Sequence, residues 1–301
     1  MNLFNGQINN WEEWGEIFQS IPAFAPLVEH ILKKENLPAE KIENLTPGTN
    51  AVFKTGNFVV KIFAPPESGI DQTLDLHTEL FSTRRANKLD VSAPKLVADG
   101  FVEDKYNFGY MITEYINGTE VTEAVKTMTG DEKIKIAKKL RAVCDKMNTP
   151  CEPFNDIDVI NDKGRYRRWD NYPEYFKAER LAYIKSHEFG ENVFVHGDLC
   201  LDNMLLTPDG ELYIIDFADA VFAPVIYEHA LVAFSFELDP MLLRGYFEDY
   251  TNDTFTEMCF NGLLIHDFGG DIVRDYIGKP DEFKNLEYLG KKLKLKITGL
   301  I

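Results

Sequence analysis

Cysteine is scarce in this sequence, and none of its four cysteines lies within CxxC distance of another. That spacing indicates neither a zinc site nor a disulfide framework. Long apolar runs are also lacking, since no segment approaches the roughly 20 residues that a membrane-spanning helix needs. The N-terminal residues lack the basic and then apolar layout of a signal peptide. We therefore expect a protein of the reducing cytoplasm that has no membrane partner.

Positive charge is also in short supply. The 301 residues contain 32 lysines and arginines against 49 aspartates and glutamates, which gives a formal net charge of −17 at pH 7. Nucleic acids and anionic membranes are bound through basic surface, so the composition argues against both as partners. A cationic ligand would suit this balance, although an acidic surface that serves only solubility explains it equally well.

The chain contains no internal repeat and no low-complexity tract, and its length predicts two lobes rather than one small core. Residues 10–36 carry two amphipathic helical patterns, with a break predicted at Pro22 and Pro26. Residues 42–64 change to short β-like runs separated by turn residues. Residues 70–89 return to helical spacing. These alternations predict an N-terminal lobe that combines a sheet with helices.

Helical patterns dominate after Gly118. Two further strand-like segments, KLVADGFVE and YNFGYMITEYI, precede this glycine, and mainly helical patterns follow it. The predicted architecture is therefore α+β, with a small β-rich lobe built on an antiparallel sheet over residues 1–117. A larger helical lobe is predicted over residues 118–301. A monomer is expected, although the sequence does not determine the oligomeric state.

A dense group of polar residues interrupts the helical lobe in the segment VFVHGDLCLDNMLLTPDGELYIIDFADA. Two short apolar runs flank the turn TPDG, which predicts a β-hairpin with Asp216 facing Asn203 across it. An amide oxygen and a carboxylate are hard oxygen ligands, suited to Mg²⁺ together with phosphate oxygens and water. Asp198, on the loop before the hairpin, is left to accept a proton from an attacking hydroxyl, as phosphoryl transfer requires.

HGDLCLDN followed by IIDFADA resembles the catalytic loop and the metal-binding segment of the protein-kinase-like fold. The His-Gly-Asp form is similar to that of the aminoglycoside phosphotransferase and choline kinase family. The resemblance implies that Asp198 is the base, that Asn203 and Asp216 bind Mg²⁺, and that His196 orients the loop. It also implies transfer of the γ-phosphate of ATP or GTP to a hydroxyl group. Ala218 departs from the family's usual glycine, a change that leaves metal binding intact.

The family also requires a strand lysine that holds phosphates and a helix glutamate that pairs with it. VVKIF supplies Lys61 between apolar residues, although an edge-strand charge is the alternative. The following helix supplies Glu79, with Asp75 as a nearby competitor for the same role. The resemblance therefore implies that Lys61 and Glu79 form the nucleotide-anchoring pair.

Two further segments are expected to contact the nucleotide. LTPGTNAVF stands where a phosphate-covering loop is expected but contains no GxGxxG motif, so Thr49 and Asn50 become the candidates for the cradle. An ordinary turn is the alternative for this loop. YMITEYINGTEV resembles the hinge that reads adenine through backbone groups, which implies roles for Glu114, Tyr115 and Ile116.

The sequence identifies the residues that bind the acceptor less precisely than those of the catalytic loop. In this family, acids from the C-terminal helices line the pocket for cationic substrates, and the candidates here are Asp219, Glu228, Glu237, Asp239, Asp267 and Asp271. Taken singly, each of these acids is more simply explained as a surface or capping residue. Glu228-His229-Ala230 also resembles the Asp-Leu-Ala segment that braces the family's catalytic loop.

An aminoglycoside or a similar polycationic amino sugar is the leading substrate expectation, because the acidity suits it and the family includes it. Choline, homoserine and methylthioribose-type acceptors remain open, and so does the choice between antibiotic resistance and metabolism. The sequence is also compatible with a nucleotide-binding module without catalysis and with a protein kinase. The few residues between Asp216 and the helical pattern from Tyr227 leave no room for a long activation loop, which favours a small-molecule kinase.

Overall fold

The computed structural model describes residues 3–46 and 48–301. For Lys163 it describes the backbone but not the side chain. Pro47, in the loop predicted to cover the phosphates, lies outside these residues. The chain divides into two compact units, Met1–Gly118 and Thr119–Ile301. Within the described residues, no helix combines the length and the apolar character needed to cross a membrane.

The first unit is built on one antiparallel sheet of five strands in the order β1-β2-β3-β5-β4. Its strands are β1 Ile42–Asn44, β2 Ala51–Thr55, β3 Phe58–Ile62, β4 Leu96–Glu103 and β5 Asn107–Glu114. Its helices are α1 Trp11–Ile17, α2 Ile21–Lys34 and α3 Thr73–Lys88. The alternation of sheet and helix agrees with the α+β fold predicted from the sequence.

The break between the first two helices does not lie at the prolines. Helix α2 begins at Ile21, so Pro22 occupies the first turn, where a missing N–H costs nothing. Pro26 lies inside the helix, where it removes one intrahelical hydrogen bond. Phe24, Leu27 and neighbouring apolar residues of this helix are fully buried against the sheet core, and this burial outweighs the lost bond.

The second unit is mainly helical. Its helices are α4 Val121–Ala124, α5 Gly130–Met147, α6 Glu174–Ser186, α7 Ile226–Ser235, α8 Pro240–Tyr246, α9 Asn252–Ile265, α10 Gly269–Ile272 and α11 Leu286–Ile297. Its short strands are β6 Thr119–Glu120, β7 Asn192–Val195, β8 Met204–Leu206, β9 Leu212–Ile214 and β10 Val221–Pro224. Thr129 and Glu132 form a capping box that fixes the start of α5.

Two antiparallel strand pairs bring the polar segment together within this unit. Strands β8 and β9 form the predicted hairpin, in which Met204 lies opposite Ile214. Gly210 takes a positive φ of 84° in the TPDG turn, a conformation that glycine adopts without strain. Strand β7 pairs with β10, so that Val195 lies opposite Val221. The residues before β8 and after β9 are thereby held on one side of the hairpin.

Candidate active site

Lys61 and Glu79 form an ion pair in the first unit. The Nζ atom of Lys61 lies 2.7 Å from Oε2 of Glu79, and the two side chains are only 13% and 6% exposed. Strand β3 positions Lys61 between Val52 on β2 and Met111 on β5. Glu79 projects from α3. A lysine ammonium held by a largely buried carboxylate is fixed in direction, which a phosphate anchor requires.

The loop before β2 contains one exposed and one buried candidate for contact with phosphates. Thr49 is exposed, and its backbone carbonyl accepts a hydrogen bond of 2.8 Å from the indole of Trp14. Asn50 is only 3% exposed, and its Oδ1 atom has no hydrogen-bond partner among the described residues. The loop is therefore tied to α1 through Trp14, a contact that the sequence did not predict.

The hinge segment already uses two of its three backbone N–H groups. The N–H of Glu114 donates to the carbonyl of Lys95 at 3.0 Å, and the N–H of Tyr115 donates to Asn57 at 2.8 Å. Ile116 alone of the three predicted hinge residues keeps a backbone N–H that no described residue accepts. Adenine recognition by the N–H groups of Glu114 and Tyr115 does not fit this structure, because the sheet and its flanking turn already occupy them.

In the second unit, the hairpin brings Asn203 and Asp216 to neighbouring positions. The N–H of Ile215 donates to the carbonyl of Asn203 at 3.0 Å, so Asp216 follows directly after this pairing. Asp216 takes a positive φ of 60° where the chain leaves β9, and the residue is exposed. Such a conformation is uncommon for a residue other than glycine and is found at functional sites.

Asp198 is held by Asn203. The Nδ2 atom of Asn203 donates to the backbone carbonyl of Asp198 at 2.8 Å and to its Oδ2 atom at 3.1 Å. Burial is the main cause that raises the pKa of Asp198 to about 6, and the charges of Asp219 and Asp216 raise it further. His196 and the hydrogen bond from Asn203 act in the opposite direction. The charges of three carboxylates thus act on one another across two loops, the one before β8 and the one after β9.

His196 is fully buried and connects the catalytic loop to the hairpin. Its Nδ1 atom accepts the backbone N–H of Asp198 at 3.3 Å, which assigns the ring proton to Nε2. The Nε2 atom then donates to the carbonyl of Ile215 at 3.0 Å. The ring packs against that of Phe217, with 4.7 Å between the ring centroids. These contacts orient the loop, and they leave neither ring nitrogen available to act as a base.

Glu228 lies under the same loop with no solvent exposure. Its Oε1 atom accepts the backbone N–H of His196 at 2.9 Å, and Oε2 accepts that of Gly197 at 3.0 Å. Asn148 adds a third, longer hydrogen bond at 3.3 Å. An acceptor-binding role for Glu228 does not fit this position, because both carboxylate oxygens are occupied inside the fold. The position fits the bracing role implied by the family resemblance.

Asn203 and Asp216 also supply a donor set that fits Mg²⁺. Because Nδ2 of Asn203 faces Asp198, its Oδ1 atom is turned away, and it accepts no hydrogen bond from the described residues. Within the same residues, no group of three or more His, Cys, Asp or Glu side chains could hold a metal ion alone. Two hard oxygen ligands suit a cation that takes its remaining ligands from phosphates and water.

The candidate acceptor acids differ in how far their charge is compensated. Asp271 pairs with Arg168 at 2.6 Å and with Arg274, while Asp267 lies 3.8 Å from Arg168. Asp219 forms no ion pair among the described residues; the residue keeps exposed surface, but protein atoms crowd its carboxylate, and this partial loss of hydration and then the charge of Asp216 raise its pKa. Of these three acids, Asp219 is the one without an arginine within salt-bridge distance among the described residues.

The remaining two acceptor candidates lie in the turn between α7 and α8. Glu237 is exposed there with a positive φ of 51°. Asp239 caps the start of α8 and forms an ion pair with Lys133 at 2.6 Å, so its carboxylate is already engaged.

Three polar residues beside the catalytic loop were not predicted from the sequence. Arg165 donates to the hydroxyl of Tyr227 at 2.6 Å, and Tyr227 also accepts the backbone N–H of Asp267 at 3.2 Å. The ring of His266 stacks on Tyr227 with 4.0 Å between ring centroids. The only available signal was the position of Tyr227 directly before Glu228.

Comparisons with known proteins identify both the family and the fold. The family described as "Phosphotransferase enzyme family" has a model that matches residues 48–260. A mutant of aminoglycoside 2'-phosphotransferase-IIIa, solved as its GDP complex, superposes with a TM-score of 0.60 at 15% identity, covering 91% of this chain and 93% of that one. Choline kinase LicA from Streptococcus pneumoniae gives 0.56 at 16% identity, with coverages of 90% and 98%.

The ternary complex of streptomycin, ATP and APH(2")-IIa gives a TM-score of 0.56 at 16% identity, with coverages of 88% and 98%. A search of curated proteins finds no match. At these identities the structural likeness establishes the fold, which is the protein-kinase-like fold implied by the HGD segment. The family match spans well over half of the chain and includes the Lys61–Glu79 pair and the whole hairpin. The chain therefore belongs to the phosphotransferase enzyme family.

Proposed function

We propose that this protein is an Mg²⁺-dependent kinase that transfers the γ-phosphate of ATP or GTP to a hydroxyl of a small molecule. The observation that carries the proposal is the arrangement of Asp198, Asn203 and Asp216. The proton acceptor and one metal ligand lie on a loop that His196 and Glu228 hold in place, and the hairpin brings the second metal ligand, Asp216, next to them. Phosphoryl transfer depends mainly on positioning and on charge neutralisation, and these residues supply both.

Asp198 is assigned the part of base. The acceptor hydroxyl donates its proton to the Asp198 carboxylate while its oxygen bonds to the γ-phosphorus. The bond from that phosphorus to the β-bridging oxygen breaks, and the nucleoside diphosphate leaves. Asn203 keeps the carboxylate in position through the hydrogen bond of 3.1 Å. Mg²⁺ held by Asn203 and Asp216 would neutralise the charge on the phosphates.

The first unit is assigned the anchoring of the nucleotide. Lys61, fixed by Glu79, offers a directed ammonium for the α- and β-phosphates, and Thr49 and Asn50 are proposed for the phosphate loop. Similar structures were solved with GDP, with ATP and with AMP, which supports a purine nucleotide without selecting one. The backbone of Ile116 is proposed as the N–H donor of the hinge.

The acidic composition suits an acceptor that carries at least one cationic group, as an aminoglycoside does, and Asp219 is the acid proposed to face such a group. Glu237, Asp267 and Asp271 are weaker candidates, since two of them adjoin arginines. Choline-, homoserine- and methylthioribose-type acceptors also remain open, in resistance or in metabolism. A monomeric state and a cytoplasmic setting stay predictions from the sequence.

The test is phosphorylation of a mixed library of aminoglycosides, amino alcohols and sugars, with Mg·ATP and Mg·GTP supplied in turn. Asp198→Asn should lower turnover by roughly 10²- to 10⁴-fold, the usual contribution of a general base. Nucleotide affinity, measured by calorimetric titration, should stay within about threefold, since Asp198 is not assigned to nucleotide binding. Asp202→Asn is the matched control, because this exposed aspartate lies on the same loop.

Three results would count against the proposal in different ways. Nucleotide binding without turnover on any acceptor would favour a non-catalytic module. Phosphate transfer onto protein instead of small molecules would favour a protein kinase. Full turnover by the Asp198→Asn variant would show that Asp198 is not the base.

A further inference from the structure

Arg165 is tied to the helix that holds the catalytic loop. It lies in the short 3₁₀ helix Lys163–Trp169, and one terminal nitrogen donates to the hydroxyl of Tyr227 at 2.6 Å. Tyr227 is in the first turn of α7, directly before the bracing Glu228. The same hydroxyl accepts the backbone N–H of Asp267. Arg165 is therefore anchored to the residue that precedes the brace of the catalytic loop, and the charge of Asp219 acts on it.

The hydrogen-bonding capacity of Arg165 is not filled by the protein. Its Nε atom is buried without a partner, and among the described residues its guanidinium forms no ion pair. Burial opposes the charged form, but Tyr227 and the charges of Asp267 and Asp219 outweigh it and raise the pKa of Arg165. Leaving a half-buried cation without a hydrogen-bonded anion is costly, so an anionic partner at the terminal N–H groups of Arg165 would stabilise this position.

The neighbouring arginine lacks this property. Arg168 donates to Asp271 at 2.6 Å, lies 3.8 Å from Asp267 and packs over the ring of Phe268 at 4.4 Å. Its charge is thus matched within the fold. Of the two arginines in this turn that adjoin the acceptor acids, only Arg165 presents a half-buried guanidinium without a carboxylate bonded to it.

The charges around the acceptor position are therefore of both signs. Asp219 and Arg165 influence each other's charge, but among the described residues neither forms a salt bridge that would occupy its hydrogen-bonding groups. A polycation would have to place several ammonium groups around Arg165, and like charges at close range are unfavourable. A small molecule with one ammonium and one carboxylate matches both groups.

We propose that Arg165 binds a carboxylate of the acceptor, so that the substrate is a small hydroxylated molecule carrying one carboxylate and at most one ammonium. Asp219 faces the ammonium where one is present. A guanidinium fork matches a carboxylate in shape and charge. The inference rests on the proposed kinase function and narrows its acceptor class.

The experiment compares acceptors that differ only in the carboxylate. L-serine is paired with ethanolamine and L-homoserine with 3-amino-1-propanol, a wider set of hydroxy acids is paired in the same way, and kanamycin represents the polycations. The carboxylated member of a pair should show a kcat/KM at least about tenfold higher, as expected for one charge-assisted hydrogen-bonded contact.

Arg165→Gln should remove that preference, mainly through KM for the acceptor, while KM for the nucleotide stays unchanged. Arg165→Lys should restore part of it, because the charge returns without the fork. Arg167→Gln is the control, since this exposed arginine lies in the same turn. Thermal unfolding of all three variants verifies folding, and the NMR signal of the Arg165 Nε–H in the wild type should shift when L-serine or acetate is added.

Several outcomes would overturn the inference. These are phosphorylation of kanamycin or of amino alcohols in preference to their carboxylated partners, an unchanged preference in Arg165→Gln, or an unmoved Arg165 signal. A further outcome is that no carboxylated acceptor is phosphorylated while Mg·ATP is still hydrolysed in a way that depends on Asp198. This outcome would overturn the inference about Arg165 and leave the proposed function standing. Loss of that hydrolysis as well would instead indicate that the proposed function fails.

Discussion

Glu228 accepts the backbone N–H of Gly197 at 3.0 Å, and through its other oxygen it accepts the N–H of His196 at 2.9 Å. A buried carboxylate therefore fixes two consecutive peptide groups immediately before Asp198. Because the base follows these groups in the chain, its direction depends on them. Glu228 acts as a positioning residue, which its complete burial allows.

Replacing this carboxylate by an amide should loosen the loop. In Glu228→Gln, one side-chain oxygen becomes an NH₂ group that faces an N–H donor. We expect the free energy of unfolding to fall by about 1–3 kcal/mol, the cost of a buried donor left unsatisfied. Turnover should fall by roughly 10- to 100-fold, with little change in KM for the nucleotide. Steady-state kinetics and chemical denaturation measure the two effects.

Glu257→Gln is the matched control, since Glu257 is exposed on α9 and has no assigned role in the site. It should change neither stability nor turnover. Equal losses in both variants would show that general electrostatics, rather than the contacts of Glu228, set the activity.

The local parts of this site were predictable from the sequence, because short-range patterns specify them. The turn TPDG and its flanking apolar runs predict the hairpin that brings Asn203 to Asp216. The apolar neighbours of Lys61 mark its place on a strand. The contact of Arg165 with Tyr227 joins residues 62 positions apart, and no periodicity signals such a pairing. Tertiary packing also overrides propensity at Pro26, which lies inside a helix.

Gly197 offers a separate test of loop geometry. It takes a φ of +84°, and a Cβ atom added there would lie 2.0 Å from the carbonyl oxygen of Asp219. In Gly197→Ala, the backbone would have to keep a left-handed conformation that alanine disfavours. The new methyl group would also collide with the backbone of Asp219. We expect severe destabilisation, of at least about 3 kcal/mol, and loss of turnover.

Gly210→Ala separates these two contributions. Gly210 has the same φ of +84°, but an added Cβ would meet nothing within 4 Å. The Gly210→Ala substitution should lower the free energy of unfolding by only about 1 kcal/mol, the penalty of the conformation alone. It should leave turnover intact. Similar losses of stability in the two variants, measured by chemical denaturation, would contradict the collision at Gly197.

The Lys61–Glu79 pair should govern nucleotide affinity. Lys61→Met keeps the length of the side chain but removes the ammonium, leaving Glu79 largely buried. We expect the Kd for ATP to rise by roughly 10- to 100-fold, and the free energy of unfolding to fall by on the order of 3 kcal/mol because a buried pair is broken. Calorimetric titration and denaturation measure these changes.

Lys54→Met on the neighbouring strand provides the comparison. Lys54 lies 3.9 Å from Glu43 in a more exposed ion pair, and such pairs contribute roughly 0–1 kcal/mol. Unchanged ATP affinity is expected. A loss of affinity equal to that of Lys61→Met would argue against a specific anchor at Lys61.

His229 predicts how stability changes with pH. It lies on α7 with 4% exposure, its Nδ1 atom is 3.3 Å from the hydroxyl of Tyr250, and burial is the main cause that lowers its pKa to about 4. In the unfolded chain this pKa is about 6.5. As the pH falls through 6.5, the unfolded chain binds a proton that the folded chain does not, so stability decreases until about pH 4.

Between pH 7 and pH 4.5, His229 should thus contribute a loss of roughly 2–3 kcal/mol in the free energy of unfolding. His229→Gln lacks this titration, so its stability should fall less over the same interval by about that amount. His77→Gln, on an exposed position of α3, should follow the wild type. Urea denaturation at the two pH values gives the comparison. Parallel losses in the wild type and in His229→Gln would mean that the folded protein accepts a proton at His229, and the buried neutral histidine would then be wrong.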